Sequence, residues 1–303
     1  MAFWPMVVGE SHILSNFIVE IHKGFVSVMK VTFLGTGTSQ GVPVIGCGCE
    51  VCCSSDRKDN RLRSSVLVQY QGLNILIDAG PDFRYQMLKH RVHHLDAILL
   101  THEHRDHISG LDDVRAFNAM SDQPIPVYAE QRVANSVRTL YHYAFSDLPF
   151  YGLPQMSMLE IGEGPFCIES VTVSPIRVMH HRLPILAYRI GDFGYITDAN
   201  HISDASIQQL VGCKILVVNG LRIDKHISHF SLSEALVVME RVNPDLGIIT
   251  HISHQLGLHQ EVAKQLPANV ILGYDGLCLK LNDTCENINT SVLKYYNYDT
   301  KNK

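Results

Sequence analysis

An α/β fold is predicted for this chain from three observations. Apolar, strand-like runs alternate with helix-like stretches twice over, and no linker separates the halves. Several of the runs end directly in a His or an Asp. The 303 residues, 46% hydrophobic and 18% charged, suit one large globular domain or two small ones, with a core that needs no disulfide staples.

Residues 1–28 do not resemble the rest of the chain and are read as an N-terminal extension, with Met29 as the natural start. Residues 29–34 form an opening strand, and Gly35-Thr36-Gly37-Thr38 a tight turn, since a lone GxG is a weak phosphate signature. Residues 65–70 and 74–78 pair as a hairpin around Gln71-Gly72. Asp78 closes the second apolar run, where its expected role is to brace a neighbouring loop by hydrogen bonds. A helix follows over 82–90 and a strand over 97–100. Helices are expected at 112–118 and 130–145, the latter with Val133, Val137, Leu140 and Tyr141 near a 3.6 period; Tyr141 and Tyr143 are read as packing residues. Strands return at 158–161, 171–179, 186–190 and 193–197, then a helix at 203–211 and a strand at 215–219. Ser231-Leu232-Ser233-Glu234 is a capping box opening a helix to Val242. A strand at 246–250, a helix at 259–266 and a last strand at 276–281 complete the order, ahead of a polar tail over 282–303. His-Ile-Ser-His occurs at 226–229 and again at 251–254, in different surroundings, and is treated as coincidence.

The net charge is −5 and no basic run is present, which argues against a large polyanionic partner such as nucleic acid. No secretory signal is visible at the N-terminus, and no apolar run approaches the ~18 residues a membrane span needs. The expected compartment is a reducing cytoplasm, where clustered cysteines bind metal more often than they form disulfides. Cys167, Cys213, Cys278 and Cys285 are scattered and read as ordinary small residues.

The chemistry concentrates in Thr101-His102-Glu103-His104-Arg105-Asp106-His107, directly after the apolar run 97–100. His102 and His104, two apart in an extended segment, face one side. Asp106 and His107 follow at a turn and reach a second point nearby. Imidazole suits zinc, iron and nickel, and carboxylate widens the choice to manganese. One loop serving two adjacent ions is what two-metal hydrolysis needs. The same placement recurs at His180, Asp198 and His251, each immediately past an expected strand; His181 competes with its neighbour for the first position. Strands sharing one sheet edge would bring these side chains to one pocket on a rigid frame. Cys47, Cys49 and Cys52 are spaced to hold one structural zinc with a fourth ligand from elsewhere, with redox chemistry as the rival and Cys53 as a spectator. Arg61 and Arg63 are weighed as phosphate contacts, a role exposed loop arginines usually do not take, and their role is left open.

His102-x-His104-x-Asp106-His107 resembles the signature of the metallo-β-lactamase superfamily. The fuller set resembles its phosphoribosyl 1,2-cyclic phosphate phosphodiesterase-like branch. That set comprises Gly35-Thr36-Gly37 with Gln40-Gly41-Val42-Pro43, the Cys triplet, Ile77-Asp78-Ala79-Gly80, residues 250–255, and Gly273-Tyr274-Asp275-Gly276. The resemblance covers about residues 29–281, which it implies are one αββα hydrolase domain of two mixed β-sheets flanked by helices. It implies two divalent ions, zinc or manganese: His102, His104 and His180 on one, Asp106, His107 and His251 on the other, Asp198 bridging. It gives the structural zinc Cys47, Cys49, Cys52 and His254. His229 matches the catalytic histidine and, with Asp106, completes the expected catalytic pair. A homodimer is a family expectation. The expected reaction is hydrolysis of a small, possibly cyclic ribose, phosphodiester by a hydroxide held between the ions, with His229 protonating the leaving oxygen. The rivals are a tRNA 3′-processing-type endoribonuclease, a thioester or other ester hydrolase of the same fold, and a metal-responsive scaffold without catalysis.

Overall fold

The computed structural model describes residues 28–146 and 152–282. Of the extension expected over 1–28 and the tail expected over 282–303, Val28 opens the first strand and Asn282 closes the last, and the remainder of both lies outside the described residues. Among those described, no helix is long and apolar enough to cross a membrane.

The first half supplies β1 (Val28–Gly35), β2 (Ser65–Tyr70), β3 (Leu73–Ile77), β4 (Ala97–Leu99), β5 (Ile125–Ala129) and β6 (Met156–Glu160). The second supplies β7 (Phe166–Ile168), β8 (Val171–His180), β9 (Leu183–Ile190), β10 (Phe193–Ile196), β11 (His201–Ile202), β12 (Ile215–Asn219), β13 (Leu246–Thr250) and β14 (Val270–Leu272). The final strand, β15 (Cys278–Asn282), crosses back to the first sheet. The strand orders are β15-β1-β2-β3-β4-β5-β6 and β11-β8-β9-β10-β12-β13-β14, with β7 on β8. Both sheets run through antiparallel pairings and then turn parallel, from β3 to β6 and from β10 through β12 and β13 to β14. Parallel strands end at one edge, so residues just past β3 and β4, or past β10, β12 and β13, gather there.

The layers follow from which side chains each strand turns which way. Val31, Phe33, Ile75 and Ile77 of the first sheet meet Tyr188, Phe193, Tyr195 and Val217 of the second in a shared core. The alternate residues Leu34, Leu67, Leu76 and Ile98 face outward, onto α1 (Phe83–His90), α2 (Arg105–Ile108), α3 (Arg115–Ser121) and α4 (Gln131–Leu140). On the far side Val178, Leu216 and Val218 pack against α5 (Asp204–Leu210), α6 (Leu232–Val242) and α7 (His259–Ala263). Strands covered on both faces read as continuous apolar runs, which is why β3, β4, β12 and β13 stood out in the sequence. The arrangement is the expected αββα sandwich.

Two sets of bonds tie the sheets together at the edge where the parallel strands end. Leu186 N–H donates to Thr101 O at 3.1 Å, and the buried Tyr188 hydroxyl to Leu100 O at 2.6 Å. Past β1, Ile252 N–H donates to Thr36 O (2.9 Å) and Thr38 N–H to Ile252 O (3.1 Å). A Cβ at Gly35 would lie 1.9 Å from Arg63 O, so the β1–β2 irregularity there requires glycine.

Several elements differ from the sequence reading. β5 was missed because Pro126 sits inside it, and proline in a run argues against a strand; on the β5 side β4 takes the following residues Val127 and Tyr128 and leaves the proline unpaired with it. β7, β11 and β14 are two or three residues long and leave no periodic signal. The stretch 112–118 divides into a 3-10 turn, Leu111–Val114, and α3. The helix expected over 130–145 stops at Leu140, and a 3-10 turn follows. The hairpin forms as expected, with Gln71 and Gly72 both at positive φ (50° and 85°).

The capping box at α6 is complete: Glu234 N–H donates to Ser231 Oγ at 3.4 Å, and Ser231 N–H to Glu234 Oε2 at 2.9 Å. Ser231→Ala should therefore cost about 1 kcal/mol. Thermal unfolding should show a midpoint lower by ~2–4 °C, and no change there would mean that the cap is energetically idle.

Candidate metal centre

The centre starts from Asp78. It follows β3 in the left-handed region (φ 63°), and its carboxylate has no solvent exposure. It accepts Thr101 N–H at 2.9 Å, the Thr101 hydroxyl at 2.9 Å, and His107 Nδ1–H at 2.6 Å. This is the bracing role the sequence suggested. Around it the backbone packs tightly: Ala79 N–H donates to His107 O and Gly110 N–H to Ala79 O, each at 2.8 Å. A Cβ on Gly80 would sit 2.0 Å from Asp106 O, so that residue has no room for one.

The braced loop aims nitrogen atoms. His107 spends Nδ1 on Asp78, which leaves Nε2 facing Asp106 Oδ2 at 3.1 Å and Asp198 Oδ2 at 3.2 Å. His102 places Nδ1 3.0 Å from the Thr101 hydroxyl, and His180 donates Nδ1–H to Ser228 O at 2.8 Å. The buried Nε2 atoms of His102 and His107 have no hydrogen-bond partner. The His102, His104 and His180 rings lie 4.5–5.5 Å apart, centroid to centroid. Asp198 and His251, past β10 and β13, are both left-handed (φ 58° and 53°). His251 turns Nδ1 to Asp198 Oδ2 at 3.2 Å and Nε2 to the Thr38 hydroxyl at 3.3 Å. His229, two residues before the α6 cap, has a buried, partnerless Nδ1 3.8 Å from Asp198 Oδ1.

Ligand atoms of His102, His104 and His180 thus gather in one group, and those of Asp106, His107, Asp198 and His251 in a second. His180, Asp198 and His229 link the two. All the residues singled out for this centre come together, and His180 rather than His181 is the one that enters it; His181 lies on the surface.

The electrostatics call for cations. Burial works against a charged His107, yet Asp106, Asp198 and Asp78 together raise its pKa well above the ordinary imidazole value. Burial raises the Asp106 carboxyl, and the His107 charge more than offsets this and lowers it. Burial lowers His102, His104, His251 and His229, the last to about 3. Three carboxylates around one buried ring, with neutral imidazoles turned inward, form a donor set for hard-to-borderline divalent ions. The donors therefore fit the metals that the fold implies.

The second cluster is as compact. His254 Nδ1 lies 3.4, 3.3 and 3.5 Å from the sulfurs of Cys47, Cys49 and Cys52. Tetrahedral zinc with Zn–S of ~2.3 Å and Zn–N of ~2.0 Å gives an N···S edge of about 3.5 Å, so this arrangement fits zinc. The Cys52 amide and then His254 lower the Cys49 thiol to about 6, while burial pushes Cys52 up to about 11. All three thiols are free, and Cys53 is exposed.

Arg61 is the one residue whose setting was misjudged. It is buried, donating to Thr36 Oγ1 (2.8 Å) and Gly273 O (2.6 Å), with His259 Nδ1 at 3.2 Å. Arg63 pairs with Asp82 at 3.2 Å. Neither faces the centre as a free cation. Sequence reasoning missed Thr38, Ser64 and Ser228, whose hydroxyl and carbonyl groups orient His251 and His180. Nothing in the sequence marks these three, whereas Thr101, Thr197 and Thr250 each stand directly before a ligand-type residue, in Thr101-His102, Thr197-Asp198 and Thr250-His251.

An αββα sandwich with such a cluster of ligand-type residues at one end defines a protein of the metallo-β-lactamase fold. The chain belongs to the β-lactamase superfamily: the family model described as beta-lactamase superfamily domain matches residues 73–252. Within it the chain falls in the PhnP family. It is 39% identical to the crystal structure of a new diphosphatase from that family, with a TM-score of 0.79, covering 84% of this chain and 98% of that one. A curated relative from Porphyromonas gingivalis (strain ATCC BAA-308 / W83), named octanoyltransferase, is 44% identical over 252 residues, 82% of this chain and 51% of its own length. A ribonuclease Z from Nanoarchaeum equitans (strain Kin4-M) is 27% identical over 176 residues, 53% of this chain and 52% of the relative. The chain thus spans about half the length of these two curated relatives.

Two outcomes test the geometry. Asp78→Asn should keep the fold but weaken metal binding ~10–100-fold in chelator competition, because an orienting partner of a ligand is altered; unchanged affinity would remove Asp78 from the centre. Cys49→Ser should lower the zinc content at saturation by one ion per chain in elemental analysis, and full zinc content would count against the four-ligand site.

Proposed function

We propose that this PhnP-family hydrolase is a metal-dependent phosphodiesterase acting on a small phosphodiester, with cyclic ribose phosphodiesters as the leading class. The carrying observation is the convergence of seven ligand-type residues from four separate strand ends, with one further histidine, His229, against them and unpartnered. In this reading His102, His104 and His180 hold one divalent ion and Asp106, His107 and His251 the other, with Asp198 between them. Zinc and manganese both suit these donors. Cys47, Cys49, Cys52 and His254 hold a structural zinc. Ions so placed polarise a phosphoryl group and make water a nucleophile near neutral pH.

The chain's own residues do the rest. Asp106 and Asp198 hold His107 Nε2 at 3.1 and 3.2 Å, and Asp198 holds His251 Nδ1 at 3.2 Å, which keeps those rings turned into the pocket. His229 stands over the same floor, between His180 (rings 4.7 Å apart) and His251 (4.9 Å). Its Nδ1 makes no hydrogen bond and lies 3.8 Å from Asp198 Oδ1, whose charge favours a protonated ring against the effect of burial, so His229 is placed to take up a proton and pass it to the leaving oxygen of the ester. The thiol cluster favours a reducing compartment.

Two other readings each have one observation behind them. Ribonuclease Z among the relatives favours a structured RNA substrate, against which stands the net charge of −5. The octanoyltransferase name of the P. gingivalis relative favours an acyl ester or thioester, although this chain matches only half of that protein. A panel of cyclic and linear phosphodiesters, diphosphoesters, acyl thioesters and a structured RNA separates the three. We expect turnover confined to the small phosphate esters. His229→Ala should lower that turnover ~10²–10⁴-fold while elemental analysis finds the same metal content; unaltered turnover would strip His229 of its role.

A further inference from the structure

The loop between β12 and α6 carries His229, and it also carries His226. The loop is firmly pinned. Leu221 N–H donates to Phe230 O (3.0 Å), Phe230 N–H to Ala199 O (2.7 Å) and Asn200 Nδ2 to Ile227 O (2.9 Å). The Arg222 guanidinium caps the turn, donating to Asp224 O (3.3 Å), Lys225 O (2.9 Å) and Gln255 Oε1 (3.1 Å).

Within this frame Ser228 serves two rings. Its carbonyl accepts from His180 Nδ1, and its N–H and hydroxyl lie 3.3 and 3.2 Å from His226 Nδ1. A backbone N–H can only donate, so His226 Nδ1 is an acceptor and the one ring proton sits on Nε2. The loop, and not solvent, therefore fixes which nitrogen can donate. The His226 ring lies 5.2 Å from His229 at 31°, and His229 lies 4.9 Å from His251 at 23°. Three nearly parallel imidazoles run outward from the metal centre, with His226 last and partly exposed. Its neighbours Ile223, Lys225 and Ile227 turn to solvent, so His226 is the outer loop residue whose polar atom is both held and directed.

We propose that His226 is a specificity-determining residue, whose Nε2–H donates to an oxygen of the sugar or alcohol portion of the substrate beyond the reacting phosphate. This rests on the phosphodiesterase reading above. A ligand that is only phosphate ends at the metal centre and does not reach His226. A sugar phosphate extends along the row of rings and meets a donor already in the correct tautomer. One such hydrogen bond corresponds to roughly tenfold in affinity.

The test is calorimetric binding of inorganic phosphate and of ribose 5-phosphate to the full chain at matched metal content. Ribose 5-phosphate should bind more tightly than phosphate. His226→Ala should weaken ribose 5-phosphate about tenfold and leave phosphate within about twofold, and His226→Gln, which retains a donor at that reach, should recover most of the loss. Equal weakening of both ligands, loss of metal, no change, or ribose 5-phosphate binding no tighter than phosphate in the unaltered chain each overturns the assignment. The parent reading fails separately, if the unaltered chain does not hydrolyse bis(p-nitrophenyl) phosphate while the sugar-dependent binding holds.

Discussion

The structure of the centre depends on one buried carboxylate. Asp78 is enclosed completely, and such a charge is costly unless every lone pair finds a donor. Thr101 supplies an amide and a hydroxyl, and His107 supplies a ring N–H. Those bonds join the end of β3 to the loop after β4 and to α2, so the two segments move as one. They also decide chemistry. With Nδ1 committed, His107 has only Nε2 left to offer, and Thr101 places its hydroxyl against His102 Nδ1 in the same way. Protein groups alone thereby fix the orientation of these rings, which is a condition for tight, selective coordination.

Backbone strain recurs at the same edge. Asp78, Asp198 and His251 each leave a strand in the left-handed region. Asp and His enter that region more readily than most residues other than glycine, yet each such residue still costs on the order of 1–3 kcal/mol. The inter-sheet bonds at this edge, from Leu186 to Thr101 and from Ile252 to Thr36, hold the surrounding backbone so that the turn cannot relax. A strand that continued extended past Thr250 would carry His251 beyond the pocket. The reversal returns it toward Asp198.

Much of this was legible in the sequence, because parallel buried strands are continuous apolar runs and a ligand that follows one is conspicuous. His102, His180, Asp198 and His251 could be read that way, and Asp78 could be given its bracing role from its place alone. The resemblance supplied what spacing could not: which ligand pairs with which ion, and His254 as partner of the three cysteines. What stayed hidden depends on contacts between residues far apart in the chain. Arg61 sits in a polar stretch and looks exposed, but Thr36 and the Gly273 carbonyl, 25 and 212 residues away, bury it. β5 was masked by Pro126, whose effect on pairing depends on which neighbour uses which residue. Ser228 carries no motif at all, and its importance appears only when His180 is seen to bond its carbonyl.

The repeated His-Ile-Ser-His takes on physical meaning once β12 and β13 are seen to be parallel neighbours. Each copy lies in the loop beyond one of these strands, and Ser253 N–H donates to Leu221 O at 3.0 Å to join the two loops. The second copy divides its histidines between the two clusters. His251 turns to Asp198, and His254, three residues on, stands among Cys47, Cys49 and Cys52. An ion among those thiols would fix His254, and through the short stretch to His251 it would restrain the strained turn. The joining bond would extend that restraint to the loop bearing His226 and His229. The thiol cluster is thus joined through backbone to the two loops that carry His226, His229 and His251, without contributing a side chain to the pocket.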